Sequence, residues 1–215
     1  MSVYQKSDRG MTLLELMVVV AILGIIAGLA AVNLSDSTRR ADVNNFLGTL
    51  GADIENARWV AARRGAPVVL VLNATPGEVE YRLFVETGNA RIALNPVAVY
   101  PPEENAEIVH LERRRFNSTL VTAGLPNIAI PMPFPFQGVY GSLPTDALGC
   151  TFCTKVGTAM RGGLRIQPDG EVQIPAANNL GGGFVYARSL IDSAETRTGA
   201  VGVLAPSGLV RVFLY

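Results

Sequence analysis

The chain has 215 residues, of which 49% are hydrophobic, and its 18 basic residues balance its 18 acidic ones. A net charge of zero gives no long-range attraction toward nucleic acid or an anionic membrane, so any electrostatic role is local. Two cysteines, Cys150 and Cys153, and one histidine, His110, are too few for most metal-site and thiol-enzyme schemes.

The first ten residues, MSVYQKSDRG, carry Lys6 and Arg9 against Asp8 and end in Gly10. From Leu16 to Val32 no charged or strongly polar side chain occurs, and the apolar run reaches back to Met11 if Thr12 and Glu15 are admitted. That is about the length a helix needs to cross the hydrocarbon core of a bilayer, roughly 20 residues. The basic leader predicts a cytoplasmic N-terminus, with everything after Val32 exported. A cleavable secretory signal has a shorter apolar core, and the chain beyond it turns polar and irregular. Here the run continues into VNNFLGTLGADIENARWVAA, where Val43, Phe46, Leu47, Leu50, Ile54, Ala57 and Ala61 recur at spacings of three and four. Those spacings build one apolar stripe along a helix. No proline occurs before Pro67, so the sequence predicts one helix from about Met11 to about Arg64. Its first half suits lipid, and its second half lays its stripe on a globular domain.

Within the run, Gly24 and Gly28 form a small-xxx-small pair that permits close helix approach. Glycine is also common in membrane helices for other reasons, and both readings stand.

After the helix the chain reads as strands. PVVLVLN is a short continuous apolar strand beginning near Val68, followed by a turn at TPGE. EVEYRLFVE alternates Val79, Tyr81, Leu83 and Val85 against Glu78, Glu80 and Arg82, the pattern of a half-buried strand. GLRIQPDGEVQI and AVGVLAPSGLVRVFLY each read as a hairpin, turning at Pro168–Gly170 and at Pro206–Gly208. A helix followed by antiparallel strands predicts an α+β domain, with the long helix packed on an antiparallel sheet. The organisation expected is a leader over 1–10, a transmembrane half-helix over 11–33, an amphipathic half over 34–64 and an exported β domain over 65–215. Loops and short strands are expected over about 95–163, where YPPEEN and PMPFPFQG match no recognisable pattern.

The string RGMTLLELMVVVAILGIIAGLA resembles the processing signal of type IV pilins and type II secretion pseudopilins. Such a signal has a basic leader ending in Gly, then a hydrophobic residue, then Glu at the fifth mature position. The resemblance implies cleavage between Gly10 and Met11 by a membrane prepilin peptidase, with methylation of the new Met11 amine. Met11 stands where family members usually carry Phe. Major pilins often have a proline about twenty residues into the mature chain; GLAAVN has none, which is more like a minor subunit. LGADIENARWVAARRGAPVVLVL, RIQPDGEV and APSGLVRV are similar to the GspH/FimT type of minor pseudopilin.

By this resemblance the chain is a non-enzymatic subunit that helps initiate or cap a type IV pilus or a type II secretion pseudopilus. It is anchored in the inner membrane with its C-terminal domain in the periplasm. The implied partners are other pilins or pseudopilins, the peptidase, the inner-membrane assembly platform and membrane lipid; no cofactor or metal is expected. Taken alone, Glu15 reads as a carboxylate near the membrane surface that reaches the headgroups. Once the leader is removed, it stands four residues from a charged Met11 amine, on the same helical face. The resemblance makes it an assembly residue, pairing in the filament with the amine of a docked subunit. Which of the two machines is served stays open.

Elsewhere the chemistry is sparse. Cys150 and Cys153 form a Cys-x-x-Cys that redox, metal or clamp roles all fit; export into an oxidising compartment favours a local disulfide. His110 has no nucleophile motif beside it and reads as structural. Arg113, Arg114 and Arg115 form the densest basic cluster. Contact with nucleic-acid phosphates is the lesser reading there, because Glu103, Glu104, Glu107 and Glu112 precede them. The binding-module alternative, for DNA uptake or adhesion, would use these loops.

Overall fold

The computed structural model describes residues 13–75, 78–94, 97, 99–117, 122–123, 134–136, 150–175, 181–191 and 194–214. The chain divides into two compact units, residues 1–38 and 39–215.

In the first unit the described residues are helical. They open helix α1, Leu13–Arg64, whose remainder belongs to the second unit.

In the second unit the expected stripe is the core-facing side of α1: Val43, Phe46, Leu47, Leu50, Ile54, Ala57 and Ala61 are all at most 1% exposed. The helix stops for local reasons. Arg63 and Arg64 complement the negative end of the helix dipole. Gly65 then takes a left-handed φ of 61°, and the Ala66 N–H returns to the Ala61 carbonyl at 3.3 Å. This is the glycine-terminated cap that satisfies an orphan carbonyl and tucks the next apolar residue, Ala66, into the core.

Ten strands follow among the described residues: β1 (Val68–Thr75), β2 (Glu78–Glu86), β3 (Ile108–Asn117), β4 (Thr122–Ala123), β5 (Cys153–Val156), β6 (Ala159–Ile166), β7 (Val172–Gln173), β8 (Gly182–Ile191), β9 (Ala194–Leu204) and β10 (Val210–Leu214). They form two antiparallel sheets rather than the single sheet expected. The first runs β3-β2-β1-β6-β5, with β7 paired to β6; the second runs β10-β9-β8-β4. Both hairpins read from the sequence form, but β6–β7 belongs to the first sheet and β9–β10 to the second. Their turns are tied together where the Val172 N–H donates to the Pro206 carbonyl at 3.0 Å.

The helix stripe contacts both sheets through one core. Val68, Leu70 and Leu72 of β1, Tyr81 and Val85 of β2, Leu164 and Ile166 of β6, Val185 of β8 and Val201 and Val203 of β9 all belong to it. The far face of each sheet has a cluster of its own. Val69, Val71 and Phe84 pack with Ile92, Val97 and Ile108, while Phe184, Tyr186, Ala200 and Phe213 pack with Phe136. This is why β1 is apolar without alternation: it is buried on both faces.

Two expectations need correction. β2 is not half-buried: Glu80 and Glu86 are 4% and 1% exposed. The chain between β2 and β3 supplies Ile92, Val97 and Tyr100 to that face, and it covers what the alternation marks as solvent. The stretch 95–163 also holds more than loops and short strands, for it contributes β3, ten residues long, to the edge of the first sheet. β3 pairs with β2 across a register shift at Leu83/Phe84, which leaves Leu111 as the extra residue of a bulge. The TPGE turn and most of PMPFPFQG lie outside the described residues.

Candidate functional site

Glu15 lies in the first turn of α1, where a carboxylate meets the positive end of the helix dipole. Around it the helix is bare. Leu13, Leu14, Leu16, Met17, Val18, Val19, Val20, Ile22, Leu23, Ile25, Ile26 and Leu29 are 48–79% exposed in the isolated chain, on every side of the helix. Gly24 and Gly28 belong to this stretch, and a Cβ at either would meet nothing within 4 Å. A helix apolar all round is normally found inside a protein core or a bilayer. Gly10 and Met11 lie outside the described residues. Among the described residues, no helix is long and apolar enough to cross a membrane. The apolar stretch with described side chains stops at Leu29; Ala30, Ala31 and Val32, which extend it in the sequence, are helical in backbone.

The basic cluster is consumed by carboxylates. Arg113 donates twice to Glu80, at 3.0 and 2.9 Å, and Arg115 reaches Glu80 at 2.8 Å and Glu78 at 2.7 Å. Arg82 adds a contact at 2.6 Å, and the Tyr100 hydroxyl donates at 2.8 Å. Burial works to raise the Glu80 pKa, but the hydrogen bonds from Arg82, Tyr100 and Arg115 outweigh it and hold the carboxyl below its usual value. Arg114, on the opposite face of β3, pairs with Asp53 of α1 at 3.2 Å and with Glu112 at 3.3 Å. Asp53 also accepts from the Tyr81 hydroxyl at 2.8 Å. Burial and that carboxylate push the Tyr81 phenol well above its ordinary pKa. Arg113 and Arg115 therefore tie β3 to β2, Arg114 ties β3 to the helix, and Tyr100 brings the covering loop onto the same Glu80 carboxylate. A second buried pair, Glu86 with Arg165 at 2.8 Å, also accepts the Ile92 N–H at 2.7 Å and fixes the loop that covers β2.

Neither buried carboxylate stands out in the sequence as internal. The signal for Glu80 is its register partner Arg115, which appears only once β2 is paired with β3; Glu86 lies opposite Ile108 and meets Arg165 from β6, so no strand register marks it.

Cys150 and Cys153 are joined by a disulfide with Cα atoms 5.3 Å apart. The loop it closes is fastened to β8. The Thr151 N–H donates to the Phe184 carbonyl at 2.9 Å, and the Phe184 N–H returns to the Thr151 hydroxyl at 2.9 Å. Phe152, inside the loop, is 2% exposed and belongs to the main core. His110 packs edge-on against Phe84, with ring centroids 5.5 Å apart. Among the described residues no cluster of His, Cys, Asp and Glu could hold a metal ion.

Residues 5–31 match the family model described as the prokaryotic N-terminal methylation motif. Over a longer stretch the chain is 30% identical to the pilin-like protein PilA1 of Thermus thermophilus, covering 74% of this chain and 98% of that protein. The chain belongs to the type IV pilin and pseudopilin family. Within that family it is also 37% identical over 83 residues to a fimbrial protein of Pseudomonas aeruginosa. It is 31% identical over 85 residues to the type II secretion system core protein G of Klebsiella michiganensis. These matches span 52% and 60% of those two relatives, and 38% and 36% of this pilin-family chain. No solved structure matches it.

Proposed function

We propose that the chain is a minor subunit that helps initiate or cap a type IV pilus or a type II secretion pseudopilus. It reaches this state through cleavage between Gly10 and Met11 and methylation of Met11. The observation that carries the reading is a helix start that is apolar and exposed on every side yet holds one carboxylate, Glu15, within the matched methylation motif. So much exposed apolar surface demands a cover. Lipid supplies it before assembly, with the helix as a single span, N-terminus inside and the β domain in the periplasm. Neighbouring helices supply it in the filament, and Gly24 and Gly28 let them approach closely.

Glu15 then has a chemical task. In a low-dielectric surrounding an unmatched carboxylate is costly, while one matched to the Met11 amine of a docked subunit fixes the axial register. The working partners are other pilins or pseudopilins, the prepilin peptidase and the assembly platform.

The test is Glu15→Ala in the producing cell. Processing should proceed as in the wild type, while recovery of the subunit in sheared filaments or in the pseudopilus complex should fall at least about tenfold, as loss of roughly 1.4 kcal/mol or more of pairing would give. Normal incorporation overturns the assignment of Glu15. The binding-module alternative gains little, because Arg113, Arg114 and Arg115 already satisfy Glu78, Glu80, Asp53 and Glu112.

A further inference from the structure

Trp59 is the one tryptophan of the chain, and it is 76% exposed. It follows the buried Ala57 and precedes the buried Ala61 by two residues each, so it stands on the side of α1 turned away from the core. The indole forms one wall of a notch of about 240 Å³ lined also by Glu55, Arg58 and Ala62 of the helix and by Pro168, Asp169 and Gly170 of the β6–β7 turn.

The polar groups of the notch are unequal. Arg58 is engaged within and beyond it: one terminal nitrogen donates to the Ser207 carbonyl at 3.3 Å, and the other lies 3.5 Å from Glu55. Its Nε is buried beside Gly208, 3.1 Å from the position a Cβ there would occupy, so the Ser207 bond is what ties the β9–β10 turn to the helix. Asp169 uses one carboxylate oxygen to accept the Glu171 N–H at 2.9 Å and keeps its second oxygen. Glu55 is 46% exposed at its side chain. Two carboxylates thus face one guanidinium, beside an indole whose face is electron-rich. Ala62 is too small to cover that face. The last-turn arginines, Arg63 and Arg64, do not line the notch.

We propose that this notch receives a basic side chain, lysine or arginine, from a neighbouring subunit of the same assembly. The cation lies over the Trp59 face, where the ring quadrupole attracts it. Glu55 and Asp169 accept its N–H groups, so the local charge falls to balance on binding. Charge complementarity selects this occupant: an apolar side chain would fill the space but leave two carboxylates beside a surface losing its water, and an acidic one would be repelled. The inference rests on the assembly role proposed above, because it takes its partner from that assembly.

The sole tryptophan makes the test direct. Full-length protein in detergent micelles is titrated with Nα-acetyl-lysine amide and, in parallel, with the uncharged isostere Nα-acetyl-norleucine amide, reading indole emission. The expected result is a saturable change with the lysine probe alone. Its midpoint should rise about two- to fivefold in Glu55→Gln/Asp169→Asn, the range an exposed cation–π pair flanked by carboxylates supports. Both replacements preserve shape, and the amide introduced by Asp169→Asn retains an oxygen to cap the turn; Trp59→Leu serves as the silent control. An equal response to norleucine amide, no saturable response, or an unmoved midpoint in the double variant overturns the proposal. These measurements need no filament, so they fail or succeed separately from the Glu15 test. In the producing cell, Ala62→p-benzoylphenylalanine should crosslink to a peptide of another pilin-family chain, or of a second copy, at a position next to Lys or Arg. Adducts confined to lipid, or none, overturn the choice of partner.

Discussion

Glu80 shows how a side chain that alternation assigns to solvent becomes a structural centre. One buried carboxylate gathers Arg82, Arg113, Arg115 and the Tyr100 hydroxyl, so sheet, edge strand and covering loop share it. Because its folded pKa is lowered, its contribution to stability is fully present above the unfolded carboxylate value, about 4.3. That contribution is lost as pH falls through the lower folded value. Thermal unfolding of the wild type should therefore drop in temperature below about pH 4. Glu80→Gln should cost about 2–4 kcal/mol at pH 7, by leaving partly buried guanidinia without their counter-charge, and should flatten that acid limb. Parallel melts at pH 7 and pH 3 measure both effects, and an acid limb of unchanged slope would remove Glu80 from the account. The disulfide is a second residue-level test. Closing a loop of so few residues restricts the unfolded chain modestly, so Cys150→Ser/Cys153→Ser should cost about 2 kcal/mol in denaturant unfolding. Retained assembly would mark its role as a clamp.

Among the elements, α1 is the most legible in sequence. Among the described residues, the three- and four-residue spacing of Val43 to Ala61 names every buried hydrophobic residue of the helix, missing only the buried Gly51, and the Arg63, Arg64, Gly65 sequence marks where it stops. Leu50→Ala should cost about 2–5 kcal/mol, since Leu50 is fully buried between the helix and the strands, and the melting temperature reports it. The hairpins are legible too, because Pro-Asp-Gly and Pro-Ser-Gly set their turns; Gly170 and Gly208 take φ of 88° and 66°. What the sequence conceals is assignment between sheets. Turn chemistry says that β6 meets β7 and β9 meets β10, but the split into two sheets depends on long-range pairing such as β1 with β6, which no local pattern encodes. The burial of β2 is hidden for the same reason, since its cover comes from a loop with no periodicity. The candidate site divides similarly. Gly10, Met11 and Glu15 are offered by the sequence as one short motif within the matched residues 5–31, whereas the Trp59 notch needs the β6–β7 turn to be brought to the helix.

Taken whole, the chain joins an exposed apolar helix start to a second unit in which the rest of α1 and the strands share one core. The described buried clusters of that unit take no residue from 13–29, which leaves the apolar start for the lipid and then the subunits proposed above to cover it. This sequence of environments depends on where the chain is cut. A secretory signal peptidase would remove the apolar helix, while a prepilin peptidase would keep it. The most direct measurement is the intact mass and N-terminal sequence of the mature protein isolated from the envelope. The mature chain should begin at Met11, carry one added methyl group on its amine and retain Glu15 through Val32. A chain beginning beyond Val32, or one still bearing residues 1–10 in assembled material, would contradict it.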